Sequence, residues 1–179
     1  YTRSLENPEN NKDNSGGNSF YTILNDKGGN MTINAGVKVT NVGHFSSMIR
    51  NGGDGAATLT INGGTFTGGL NTVKNDESGT LSINGGDFSN TSQYVVMNWN
   101  KATIAGGRFA ANASAEAVLF NARYNENAVG DLTITDGTFV AASSSQKLIA
   151  SGGYTAGTES ITGGTFNGQT LPISESTNG

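Results

Sequence analysis

One pattern recurs six times in the chain: Thr or Ser followed by Ile, then one or two polar residues, a Gly and usually a Phe. It appears at Thr32-Ile33, Thr60-Ile61, Ser82-Ile83, Thr103-Ile104, Thr133-Ile134 and Ser160-Ile161. Three residues after each Ile stands Gly36, Gly64, Gly86, Gly107, Gly137 or Gly164. Two residues further on come Phe66, Phe88, Phe109, Phe139 and Phe166, and Lys38 in the first repeat breaks the column. The Ile-to-Ile intervals are 28, 22, 21, 30 and 27 residues, so the unit has a fixed core and elastic loops. Self-similarity at a period of about 20 to 50 residues is the signature of a solenoid.

Composition agrees with that reading. The 179 residues include 27 Gly and are only 34% hydrophobic, too few apolar side chains for an ordinary globule of this length. A solenoid needs only a few inward side chains per repeat, and its turns consume Gly and Asn. The net charge of -4 is spread along the chain. Without a Lys/Arg cluster, nucleic acid and anionic membrane surfaces are poor partners. No apolar run approaches the length of a membrane-spanning helix. The chain opens Tyr1-Thr2-Arg3 with neither a Met nor a signal peptide and reads as a mature or excised piece of something larger. With no Cys, disulfides, thiol chemistry and Cys-ligated zinc are excluded.

A second column lies upstream of each Ile: Ile23-Leu24-Asn25, Ile49-Arg50-Asn51, Val73-Lys74-Asn75, Val96-Met97-Asn98, Leu119-Phe120-Asn121 and Ile149-Ala150-Ser151. Each repeat therefore reads as a strand, a turn at Asn, a loop, the Thr-Ile strand, a tight Gly turn and a short Phe strand. Leu59 and Ile61, Leu81 and Ile83, and Leu132 and Ile134 alternate with polar residues, which is strand periodicity with one face buried. Gly and Asn interrupt every stretch, and no helical period survives. The expected fold is all-β: a single-stranded, right-handed parallel β-helix of about six three-strand rungs, ~30 Å long at the strand spacing. Its interior holds stacks of Ile/Val, Leu/Ile and Phe. Stacked Asn at one corner pass amide hydrogen bonds from rung to rung.

On these residues the chain resembles the pectin-lyase-like β-helix, whose internal Asn ladder sits at the same strand-turn-strand corner. It more closely resembles the Thr-Ile-x-Gly-Gly-x-Phe repeat segments of large secreted or wall-anchored adhesin-like proteins of gut bacteria. The resemblance covers residues 20–168, the expected β-helix domain. Residues 1–19 read as a polar linker or cap, and residues 169–179 as a polar tail. Right-handedness and an extracellular setting are what the resemblance implies. It specifies architecture and not activity, because this fold hosts lyases, hydrolases, tailspikes and passive stalks.

Catalytic chemistry is hard to assemble. Enzymes on this fold group carboxylates on one outer face, but Asp76, Glu77, Asp87, Asp131 and Asp136 do not share a column on neighbouring rungs. They read as solvated turn carboxylates. Asn51-Gly52-Gly53-Asp54 with Asn75-Asp76-Glu77 could supply oxygens to a structural calcium, although the calcium-binding nonapeptide of other β-rolls is absent. Otherwise no metal and no cofactor is expected. His44, the only histidine, sits beside Phe45 in the loop entering the second rung and reads as surface or packing. The Gly-Gly pairs lie between strands, so they are turns and not phosphate loops. Outward Thr arrays suggest an ice-binding solenoid. However, the position after each Ile drifts through Asn34, Asn62, Asn84, Ala105, Thr135 and Thr162, and cross-strand Thr chemistry suffices.

One stretch is less bland. The outward position before the Asn runs Leu24, Arg50, Lys74, Met97, Phe120, Ala150, and just past the corner come Trp99, Tyr124 and Tyr154. Met97, Trp99, Phe120 and Tyr124, with Tyr154 at the margin, should converge on one side of the rod, bordered by Arg50 and Lys74. Large apolar side chains at outward positions mark interaction sites, unless a loop covers them. Here the candidate cover is the loop 122–131. The expected function is a non-enzymatic, secreted or cell-surface bacterial module, adhesive or spacing. Its partner would be a host glycan or a host protein such as an immunoglobulin or glycoprotein. The alternatives are a polysaccharide lyase or hydrolase fragment and a phage or fibre stalk.

Overall fold

The computed structural model of the chain describes Thr2–Arg3 and residues 21–41 and 46–167. These residues are all-β, without helix, and wind into a right-handed parallel β-helix. Among the described residues each face stacks six repeat strands. The chain makes about five turns, one fewer than expected, because six stacked strands are separated by five circuits. His44, Phe45 and Phe20 lie outside the described residues, as does nearly all of the polar segments 1–19 and 169–179.

The first face, here called the ladder face, stacks Ile23–Asn25, Ile49–Asn51, Asn71–Asn75, Tyr94–Asn98, Ala117–Arg123 and Lys147–Ala150. The Ile face begins Asn30–Ile33, Ala57–Ile61 and Gly79–Ile83 and ends at Thr158–Ile161. The Phe face begins Lys38–Asn41, Thr65–Gly68 and Asp87–Thr91 and ends at Thr165–Asn167. In the fourth and fifth rungs the Ile and Phe strands run on as single strands, Lys101–Ala111 and Asp131–Val140. Thr2–Arg3 pairs in parallel with Thr40 and Asn41 at the first Phe strand.

Like side chains stack because the strands pair in parallel and in register. Rings of Phe66, Phe88, Phe109, Phe139 and Phe166 lie 4.8 to 5.0 Å apart and within 11° of parallel. The first four are fully buried, while Phe166, expected in the buried stack, is only partly covered. The column does not break in the first rung at Lys38, as the spacing suggested. One extra residue in that turn brings Lys38 opposite outward Thr65 and seats buried Val39 on Phe66. The Gly before each Phe is a steric requirement: Gly64 has φ of 118°, and a Cβ there would sit 2.8 Å from the Val37 carbonyl and 3.1 Å from the Phe66 ring.

Polar order is just as regular. Asn25, Asn51, Asn75, Asn98 and Asn121 are buried, and each of the first four donates from Nδ2 to Oδ1 of the next at 2.7 to 2.8 Å. The same nitrogens reach the carbonyls of Thr58, Thr80, Lys101, Asp131 and Thr158, which open the Ile strands of the following rungs. Each amide thereby satisfies backbone oxygens that the corner would leave unpaired in a dry interior, at a cost of about 1–3 kcal/mol apiece. A second ladder runs on the outside, Asn84 to Asn62 at 2.8 Å and Asn62 to Asn34 at 3.0 Å. The drifting column thus holds a three-rung order at one end.

Candidate functional site: an aromatic corner

The outward residues of the ladder face align as the repeats demand. Leu24, Arg50, Lys74, Met97, Phe120 and Ala150 are successive register partners. The column divides into a charged half and an apolar half.

In the charged half, Arg50 and Lys74 do not form a cationic border for the aromatic side. Both turn to Asp76, Arg50 Nε at 2.6 Å from Oδ2 and Lys74 Nζ at 3.1 Å from Oδ1. Asp76 is buried, so the reading of it as a solvated turn carboxylate is corrected: the turn folds it inward beneath two long cationic side chains. Arg50 also packs over the Tyr21 ring, 5.4 Å from its centre, and reaches Asp54 at 3.8 Å. Burial works against the guanidinium charge, but the hydrogen bond and charge of Asp76 outweigh it, and the Arg50 pKa is raised. Three of the residues considered for calcium have structural partners. Asn51 and Asn75 face each other within the ladder, and Asp76 holds the two cations.

The apolar half forms a second core outside the coil. Phe120 is 6% exposed and packs with Tyr94, Ala117, Ala122 and Ala150, and Met97 and Trp99 lean on this group partly buried. Rings of Tyr94 and Trp99 stand 4.9 and 4.8 Å from Phe120, the indole meeting it edge-on. Trp99 also meets Tyr124 edge-to-face at 5.5 Å. The expected convergence of Met97, Trp99, Phe120 and Tyr124 is the geometry observed, but Phe120 is a buried anchor and not part of an exposed surface. Tyr124 and Tyr154, 52% and 61% exposed, carry the accessible rings.

From the expected cover, the loop 122–131, Ala122 and Tyr124 make contact with this group, while residues 152–156 of the following rung cross Phe120 and Trp99. Gly152 and Gly153 pass across them, and a Cβ on Gly153 would lie 2.5 Å from the indole. Thr155–Ala156 then pairs antiparallel with Ala122 and Arg123, and the Tyr154 amide donates to the Arg123 carbonyl at 3.1 Å. The loop 122–131 is tied to itself: Arg123 donates to the carbonyls of Ala128 and Glu126 at 2.8 and 2.7 Å, and Asn125 Oδ1 accepts from the amides of Asn127 and Ala128. The Gly-Gly at 152–153, unlike the Gly-Gly pairs of the Phe turns, is the local signal that a backbone crosses an aromatic ring here.

Four carboxylates elsewhere are engaged structurally. Glu116 accepts from the Tyr94 hydroxyl at 2.5 Å, Glu159 from Asn121 at 2.8 Å, and Asp136 from the Gly137 amide. Asp87 pairs with Arg108 at 3.5 Å. Among the described residues, no group of three His, Cys, Asp or Glu is placed to hold a metal ion. Compared with family models, curated proteins and solved structures, the chain matches none.

Proposed function

We propose that the chain is a non-enzymatic binding module of a secreted or cell-surface bacterial protein, holding a host glycan or a host protein at Trp99, Tyr124 and Tyr154. The observation that carries this reading is the aromatic corner. Two Tyr rings more than half exposed accompany a partly open indole that packs on buried Phe120. Such rings offer large contact area, a polar handle and little side-chain entropy to lose, which suits sugar stacking and protein contact alike. The extracellular, adhesive setting is supported by the repeat's resemblance to adhesin-like segments. The absence of catalysis is supported by the structural partners of Asp76, Asp87, Glu116 and Asp136.

The test is a glycan array and a panel of host glycoproteins and immunoglobulins, probed with the intact chain and with Trp99→Ala and Tyr124→Ala. A partner whose affinity falls about 30-fold or more on Trp99→Ala, the ~2 kcal/mol of a hot spot, supports the reading if the variant keeps its fold. Binding indifferent to both substitutions overturns it. Time-dependent release of unsaturated products or reducing ends from pectin or alginate, with or without calcium, overturns its non-enzymatic half.

A further inference from the structure

The last rung keeps the Ile and Phe columns of its predecessors but changes two inward positions, and both changes meet at one corner. Ile161 pairs with Ile134, Phe166 stacks on Phe139, and Ile149 follows Leu119. The inward column beside the Ile, however, runs Met31, Leu59, Leu81, Ala102, Leu132 and then Glu159. The ladder column ends with Ser151, which is exposed, in place of a sixth Asn. Glu159 makes good that loss, its Oε1 accepting from Asn121 Nδ2 at 2.8 Å. All five ladder amides donate toward this end, so the row of aligned dipoles terminates on a carboxylate, which can only accept.

We propose that Glu159 is an edge guard that stops a further rung, in particular one from a second copy of this chain, from stacking on this end. Without it the end is a template for self-association. Among the described residues, Thr158–Ile161 and Thr165–Asn167 each pair on one side only, Ile161 is 37% exposed, and the Phe166 ring is stacked by Phe139 alone. Because the rungs present matching apolar columns in register, with Val39 in the Phe column of the first and Phe in the other five, the natural occupant of that edge is another such rung. Seating it would bury the Glu159 carboxylate, which accepts from the amide of Asn121, and an inward charge on an edge strand is a known way to forbid pairing. The role is separate from the aromatic corner and stands whether or not that corner binds a ligand.

The experiment is sedimentation of the intact chain across a wide concentration range, with Glu159→Leu and Glu159→Gln alongside. Wild type should sediment as an 18.4 kDa monomer. Glu159→Leu restores the apolar column and should shift to at least twice that mass, with its β-sheet circular dichroism and cooperative unfolding retained. Adding Ile161→Lys to Glu159→Leu puts a charge back on the same edge and should return the monomer. Glu159→Gln keeps an acceptor for Asn121 without the charge and should associate more weakly than Glu159→Leu. The proposal is overturned by a wild type that already associates, by a folded Glu159→Leu that stays monomeric, or by association that Ile161→Lys does not reverse. If Glu159→Leu unfolds, Glu159→Gln alone decides, and a monomer then rejects the guard.

Discussion

Phe109 and Phe139 stack with ring centres 5.0 Å apart and planes 7° from parallel, although 30 residues separate them. Phe88 and Phe109, only 21 residues apart, stack at 4.9 Å and 3°. The extra nine residues are absorbed entirely outside the coil, because the parallel ladder fixes where each rung re-enters its column. Loop length in this chain is free to vary without disturbing the core.

That stack sets a gradient of stability along the rod. Phe88→Ala removes a fully buried ring with neighbours on both faces, and should cost about 3–5 kcal/mol in urea unfolding. Phe166→Ala removes a partly covered ring stacked on one side, and should cost less than half as much. Equal losses at the two positions would contradict the stacked geometry.

The Asp76 cluster predicts an asymmetric response to charge removal. Asp76→Ala leaves Lys74 without its counter-ion and Arg50 with only exposed Asp54 at 3.8 Å, and should cost about 2–3 kcal/mol. That is below the 3–5 of a fully buried pair because both cations retain some solvent. Lys74→Ala leaves the tighter Arg50 contact in place and should cost under about 1 kcal/mol. Thermal melts of the two variants read the difference directly.

Alkaline pH isolates Tyr94. Burial, aided by the hydrogen bond to Glu116 and its charge, raises the phenol above its ordinary value of 10.0. The folded chain then holds this proton more tightly than the unfolded one. The resulting stability is fully present below pH 10 and drains away as pH rises above it. Tyr94→Phe should flatten the fall in Tm between about pH 10 and 11 relative to wild type, and an unchanged slope would rule the contribution out.

The backbone over the indole should be sensitive to a single methyl. Gly153 has φ of 72°, and its Cβ position lies 2.5 Å from the Trp99 ring. Gly153→Ala is therefore both strained and clashing, and should lift residues 152–156 off the aromatic corner. Trp99 is the only tryptophan, so its emission reports on this corner alone and should shift to the red while the bulk β-sheet signal stays.

The sequence by itself determined the coil. Equivalent residues recur at Ile33 through Ile161, at Asn25 through Asn121 and at Phe66 through Phe166, and parallel strands can satisfy such repetition only by stacking like on like. It held the last rung's exception as well, since Glu159 stands where Leu59, Leu81 and Leu132 stand in their repeats. What the tertiary structure alone decided concerns groups that do not repeat. The extra residue before Val39, the inward turn of Asp76 under Arg50 and Lys74, and the crossing of residues 152–156 over Trp99 each occur once. A periodic pattern constrains only what recurs. A single loop's path is set by contacts between rungs, here a 2.6 Å ion pair and a short antiparallel pairing, whose partners are far apart in sequence and carry no spacing signal.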